Sequence, residues 1–398
     1  MAPSEGVTMR LFITLALSIA AVAMTFAQPS SKKVFPGANP AMPFSAAVKA
    51  DGLIYVSGTL GSGGDVKAQT KQVLDNISTT LKTAGSSLAN AASVTVYLRN
   101  PSDFAAMNEV YRGYWTKDPP ARTTVMVPLL NEGLVEIAVV AVPDGGERVV
   151  VNPSEWSSSP NPYSYAVKTG NTLFLSGLIA RNGKDNTPIK GDMSTQTKAV
   201  LDNGAAVLKA AGFTYGDVVA SRVYISDQAA FQDMNKVYQT YFPTDPPARA
   251  TVKALLTSAD YIVEITMVAV KGSNRSALTT PNADGTAGTK NPNLSAAIRA
   301  GNRLYVSGIL GNTADNKGDI KAQAAESLKR IGRTLKAAGY DWSDVVDGVV
   351  YLPDLTKFND MNTSYREAFG KDFPARATVG AGLMGADAAV EIMLTAAK

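Results

Sequence analysis

Glu136, Glu264 and Glu391 each stand inside an apolar Val-Glu-Ile segment, the first within Leu134-Val135-Glu136-Ile137-Ala138-Val139-Val140. Alternate residues of a strand share a face. Val135, Ile137 and Val139 form one face, and Glu136 shares the other with Leu134, Ala138 and Val140. Both faces are apolar, so the strand is expected to be covered on both sides, with a carboxylate in an apolar lining. Such a group must meet a cation, meet hydrogen-bond donors, or hold its proton to higher pH. Arg122, Arg249 and Arg376 each follow Pro-Ala and open a β-rich segment. A guanidinium is a permanently charged planar fork that fits a carboxylate through two parallel hydrogen bonds. A structural ion pair is one use of these groups; binding a small anion beside a proton-handling carboxylate is the other.

The composition narrows the chemistry further. The chain has no histidine and no cysteine, which excludes thiol nucleophiles, disulfides, Ser-His hydrolysis and ordinary zinc centres. No metal or cofactor is expected. A net charge of +4 over 398 residues makes no case for nucleic acid or an acidic membrane as partner. With 45% hydrophobic and 18% charged residues the chain is globular, and its length calls for several domains.

The positioning elements recur three times. Strand ends read Tyr55-Val56-Ser57-Gly58, Phe174-Leu175-Ser176-Gly177 and Tyr305-Val306-Ser307-Gly308, and helices open at Gly64-Asp65, Gly191-Asp192 and Gly318-Asp319. A Phe-x-x-Met-Asn-x-x-Tyr pattern recurs at Phe104 to Tyr111, Phe231 to Tyr238 and Phe358 to Tyr365. Asn108, Asn235 and Asn362, like the three arginines, are spaced by 127 residues. A period this long means whole repeated domains. Each unit reads β-β-α-β-α-β-β, an α+β arrangement with helices on one face of a largely antiparallel sheet. The first helix has an Asp N-cap and ends near Gly85, Gly212 or Gly339. In the third unit its apolar face is Ile320, Ala324, Leu328, Ile331 and Leu335. The expected domains are 33–148, 149–271 and 291–398, with 272–290 as a linker rich in Ser, Thr, Asn and Gly. At about 3.3 Å per extended residue that linker crosses most of a domain, which suits a chain running around a neighbouring copy.

If the two closing strands pair as a hairpin around Leu130 to Gly133, Glu136 lies near the turn and Arg122 at the far end, roughly 17 Å away at about 3.4 Å per residue. A site using both is then assembled between units. The N-terminus reads as an export signal: Arg10, an apolar run from Leu11 to Ala23, and small residues around a cleavage point after Ala27. The run covers 13 residues, short of the roughly 20 that span a membrane. Residues 1–27 are therefore expected to be removed, leaving an exported protein with no membrane segment. Met9 is a second candidate start.

In order, three times, these motifs resemble the Rid (YjgF-like) family of imine/enamine deaminases. Unit 2 matches most fully, with Asn161-Pro162-Tyr163-Ser164, Ser176-Gly177, Gly191-Asp192, Gln196-Thr197, Asn235, Pro247-Ala248-Arg249 and Val263-Glu264-Ile265. The resemblance implies a chorismate-mutase-like fold and a trimer with clefts between subunits, here an intramolecular pseudo-trimer from one monomeric chain. It implies a small carboxylate-bearing substrate, with Arg249 clamping the carboxylate, Glu264 handling the water and Tyr163 donating a proton or hydrogen bond. Arg122 with Glu136 and Arg376 with Glu391 are the counterparts. Gly58, Gly177, Gly308, Asn108, Asn235 and Asn362 are implied at the substrate, together with Thr124, Thr251 and Thr378, which stand where many members carry cysteine. At the tyrosine position the other units have Phe44 and Leu294, so at most one fully equipped site is expected. The implied reaction is hydrolysis of 2-imino or enamino acids to 2-oxo acids and ammonia. The alternatives are a non-catalytic binder of small carboxylates and a structural pseudo-trimer with vestigial sites. Ribonuclease and chorismate-lyase activities occur in or near this fold; the absence of histidine argues against the nuclease.

Overall fold

The computed structural model describes residues 1–3 and 32–398. The apolar run and the cleavage point expected at the N-terminus lie outside the described residues. Unit 1 runs β1 (Lys33–Pro36), β2 (Ser45–Ala50), β3 (Leu53–Leu60), α1 (Val66–Ala84), β4 (Ala91–Leu98), α2 (Phe104–Tyr114), β5 (Ala121–Met126) and β6 (Val135–Ala141). Unit 2 runs β7 (Val149–Val151), β8 (Ala166–Thr169), β9 (Thr172–Leu175), β10 (Leu178–Ile179), α3 (Met193–Ala210), β11 (Val218–Ile225), α4 (Phe231–Tyr241), β12 (Ala248–Lys253) and β13 (Val263–Val270). Unit 3 runs β14 (Ser276–Leu278), β15 (Ala297–Ala300), β16 (Arg303–Leu310), α5 (Ile320–Ala337), β17 (Val345–Leu352), α6 (Phe358–Phe369), β18 (Ala375–Gly380), β19 (Gly382–Leu383) and β20 (Glu391–Ala397).

The long helices form where their caps say they should. Asp65, Asp192 and Asp319 accept from the backbone N–H three residues on, which satisfies one of the free donors of a first turn. Left-handed glycines at 85, 212 and 339 end them. The stripe from Ile320 to Leu335 is buried against the sheet, as its spacing predicts.

The closing strands do not form the expected hairpin. The order in unit 1 is β1-β2-β3-β6-β4-β5, so β4 lies between β5 and β6 and pairs parallel with the first and antiparallel with the second. Arg122 stands opposite Val94, and Glu136 opposite Tyr97. The segment expected as linker also contributes structure, because β14 pairs with β15 and extends the sheet of unit 3.

Each sheet has two covered faces, for two different reasons. Val135, Ile137 and Val139 pack with α1 and α2 in the core of unit 1. The opposite faces of all three sheets meet in a shared core around Tyr97, Tyr224 and Tyr351, themselves 127 residues apart, with the last two hydroxyls 3.3 Å from one another. The period of two therefore turns the Glu136 side chain away from its own helices and toward a neighbouring unit.

The free edge of each Arg-bearing strand is closed by the next unit, which removes a row of unpaired backbone groups. Ser164 N–H donates to Pro120 O, Ser295 N–H to Pro246 O and Ser45 N–H to Pro374 O, at 3.1, 3.2 and 3.0 Å. Unit 1 thus docks on unit 2, unit 2 on unit 3, and unit 3 back on unit 1. β19 adds to the seam by pairing with β12 of unit 2. The ring is closed within one chain.

Candidate active site

The three seams build three clefts of one design. Cleft 1 takes Arg122 from unit 1 and Glu264 from unit 2. Cleft 2 takes Arg249 from unit 2 and Glu391 from unit 3. Cleft 3 takes Arg376 from unit 3 and Glu136 from unit 1. The sequence motif on the second helix proves to be an arginine cradle. Arg122 Nη1 donates to Asn108 Oδ1 at 2.8 Å, and its guanidinium carbon lies 5.9 Å from the Phe104 ring centre and 4.8 Å from that of Tyr111. Arg249 rests on Asn235, Phe231 and Tyr238, and Arg376 on Asn362, Phe358 and Tyr365, with both Asn bonds again at 2.8 Å. Cation-π contact and one hydrogen bond hold the fork without neutralising it. The asparagines expected at the substrate therefore act on the arginine: their side-chain oxygens are occupied by guanidinium.

Nε and Nη1 of Arg249 and of Arg376 are buried and have no partner among the described residues. Buried donors of this kind favour an acceptor brought from outside. Burial lowers the pKa of all three guanidiniums, Arg376 to about 10, which leaves it charged at neutral pH.

The serine-glycine pairs, read in sequence as strand ends, are bulges in the strand that faces the glutamate. Pairing slips between Val56 and Thr59 and between Val306 and Ile309, and in unit 2 the break separates β9 from β10. A bulge re-aims side chains locally. The serine hydroxyl turns to the neighbouring unit and accepts the backbone N–H of its arginine, Arg122 to Ser176, Arg249 to Ser307 and Arg376 to Ser57, each at 2.8 Å. The glycine lets the carboxylate lie flat against the backbone. A methyl group at Gly58, Gly177 or Gly308 would collide with Oε1 of Glu136, Glu264 or Glu391.

Thr124 N–H donates to Glu264 Oε1 at 3.3 Å, and the backbones of Thr378 and Thr251 do the same for Glu136 and Glu391. The hydroxyls of these threonines are buried without a partner among the described residues. Burial pushes each glutamate up to about 8, against the opposing pull of that backbone donor and of the arginine across the seam. At neutral pH each carboxyl therefore holds its proton more often than not.

The clefts differ at the residue before the docked serine. Tyr163 puts its ring 5.7 Å from the Arg122 guanidinium carbon in cleft 1, and Phe44 lies 5.5 Å from that of Arg376 in cleft 3. Leu294 holds the equivalent place before Ser295 in unit 3. Cleft 1 is a cavity of about 200 Å³ lined by Arg122, Thr124, Tyr163, Gly177 and Glu264, and cleft 3 one of about 190 Å³ lined by Phe44, Gly58, Glu136, Arg376 and Thr378. The structure thus brings Glu264 and Tyr163 to Arg122 of the neighbouring unit and not to Arg249 of their own, which is the assembly between units that the strand geometry implied and the choice of arginine that the sequence left open. Glu136 likewise meets Arg376 instead of Arg122, and Glu391 meets Arg249 instead of Arg376. The roles of Ser57, Ser176, Ser307, Phe104 and Tyr111 were not read from the sequence; their recurrence in each unit marked the positions, and only the contacts with the arginines reveal what they do.

Residues 36–143, 156–271 and 288–398 each match the family described as Endoribonuclease L-PSP. A RutC family protein of Sulfurisphaera tokodaii is 44% identical over 111 residues, which are 28% of this chain and 89% of that protein. Reactive Intermediate Deaminase A of the Arabidopsis thaliana chloroplast is 32% identical over 123 residues, 31% of this chain and 66% of that protein. A chorismatase crystal structure aligns over 77% of this chain and 93% of its own at 16% identity and a TM-score of 0.51, a likeness of fold alone. The chain belongs to the YjgF/Rid (L-PSP) family, in three tandem copies.

Proposed function

We propose that the chain is an exported deaminase that hydrolyses 2-imino acids and their enamine tautomers to 2-oxo acids and ammonia in cleft 1. The observation that carries this reading is the meeting of Arg122, Glu264 and Tyr163 across one seam. Arg122, held by Asn108 through Nη1, takes the substrate carboxylate; each charge-assisted bond contributes roughly 1.5–3 kcal/mol. Glu264, protonated at neutral pH, gives its proton to the imine nitrogen. Water attacks the C=N carbon and returns a proton to the Glu264 carboxylate, which leaves a neutral carbinolamine. Transfer of the hydroxyl proton to nitrogen, with Tyr163 hydrogen-bonding the polar groups, breaks the C–N bond and releases ammonia and the 2-oxo acid. Holding the imine beside a proton donor suffices for a reaction of modest barrier.

Clefts 2 and 3 keep the arginine and the glutamate but have Leu294 and Phe44 in place of the tyrosine. The reading for them is carboxylate binding with little turnover.

The test generates 2-imino acids with an amino acid oxidase and follows 2-oxo acid release with and without the chain. Acceleration that Arg122→Met abolishes supports the reading. No acceleration, with 2-oxo acids still bound, would replace it by a carboxylate-binding module. The pH profile adds a second readout: kcat/KM is expected to fall as pH rises through about 8, where Glu264 loses its proton. Mass spectrometry of the exported chain, with a new N-terminus at Gln28, tests the localisation.

A further inference from the structure

Cleft 1 holds a second arginine that neither neighbour shares. Arg181 follows the bulge of unit 2 by four residues; counted from the same glycine, units 1 and 3 have Ser62 and Asn312. It lines the cavity that contains Arg122 and Glu264. The residue is 5% exposed, and it takes part in no ion pair among the described residues. Its protein partners are aromatic: the hydroxyl of Tyr165 accepts from Nη2, and the rings of Tyr163 and Tyr165 lie 5.7 and 5.1 Å from its guanidinium carbon. A buried cation with no counter-charge is costly unless an anion comes to it. Asn186, Ser258 and Tyr261 line the same part of the cavity with polar groups.

We propose that Arg181 is a second carboxylate site and that cleft 1 prefers 2-imino dicarboxylates over monocarboxylates. This rests on the deaminase reading only for the reaction, and not for the binding preference. The spacing limits the ligand. Both guanidinium carbons lie 5.7 Å from the centre of the Tyr163 ring, so they are separated by no more than twice that distance. A bidentate pair holds the carboxyl and guanidinium carbons about 4 Å apart, so an extended C4 dicarboxylate with an arginine at each end would span about 12 Å, just beyond that limit. A C4 substrate in a bent conformation, clamped at C1 by Arg122, then presents its C2 imine to Glu264 and its distal carboxylate to Arg181. Clefts 2 and 3, with Asn312 and Ser62 there, offer no second cation at this position.

The full chain is tested in two arms. Binding is measured calorimetrically with a C4 2-oxo dicarboxylate and a C3 2-oxo monocarboxylate, and turnover with the corresponding 2-imino acids. The expected result is dicarboxylate affinity at least about tenfold higher in the wild type, one charge-assisted pair being enough for that. The ratio is expected to fall toward one in Arg181→Gln and to recover in part in Arg181→Lys. Equal affinities in the wild type, a measurement that needs no variant, overturn the proposal. So does a ratio unchanged in a folded Arg181→Gln, which assigns Arg181 to propping up the Tyr163 and Tyr165 rings. A dicarboxylate preference without turnover of either imine sinks the deaminase reading and leaves this one standing; turnover without preference does the reverse.

Discussion

Clefts 1 and 3 are built from the same parts and differ by a few atoms. Each has an arginine on an asparagine and two aromatic rings, a glutamate laid on a bulge glycine, and a buried threonine. Cleft 1 adds the Tyr163 hydroxyl and the Arg181 guanidinium; cleft 3 has Phe44 and no second arginine in its lining. The shared parts are those that also close the ring, since the serine beside each bulge glycine takes the arginine N–H of the unit before it. Substituting them loosens a seam. The differing side chains make no hydrogen bond that closes a seam, Arg181 bonding Tyr165 of its own unit, so they were free to diverge once three copies stood in one chain. Retention of the arginine in all three clefts is therefore weak evidence for three active sites, and the tyrosine is the better marker.

Four experiments bear on that contrast. Glu264→Gln is expected to lower kcat/KM about 100-fold, the scale of a lost proton donor, and Glu136→Gln less than about threefold. Equal losses would make the two clefts equivalent. Tyr163→Phe, which turns cleft 1 into a likeness of cleft 3, is expected to cost about tenfold in kcat. Phe44→Tyr in the Glu264→Gln background should restore a measurable rate; no gain means that more than one hydroxyl separates the clefts. Ser176→Ala and Ser57→Ala are expected to destabilise alike, by about 1 kcal/mol in urea unfolding, because each leaves a buried arginine N–H without its acceptor.

The smallest effect is on stability against pH. The three glutamates hold their protons up to about 8 in the folded protein and to about 4.5 when unfolded. Between those values the folded state binds more protons, so stability falls as pH rises across that window. The melting temperature is expected to be higher at pH 5.5 than at pH 8.5, and Glu391→Gln should reduce the difference. A rise with pH would mean that the glutamates are ionised in their seams.

Much of this was legible in the sequence because the signals are local. Asp65 and Gly85 bracket a helix by themselves, and the alternation around Glu136 states that both strand faces are covered. The alternation does not say what covers them, and there sequence reasoning stopped. Chain proximity suggests a hairpin of β5 and β6, yet β4 lies between them. The site between units arises by another route: Glu136 faces the seam while Arg122 faces α2 of its own unit. The pairing of Glu264 with Arg122 was beyond reach, because period-two patterning fixes a face and not the identity of the neighbour. Strands β1, β7 and β14 are three or four residues long and pair only with a sheet edge, too short for a pattern. Arg181 sits in a loop whose course no periodicity describes.

The most direct test is a crystal structure of the chain with a 2-oxo acid at a concentration that fills one site per molecule. The account expects the ligand in cleft 1, its carboxylate on the Arg122 guanidinium and its keto carbon turned to Glu264. Ligand found first against Arg249, or away from all three seams, would contradict it.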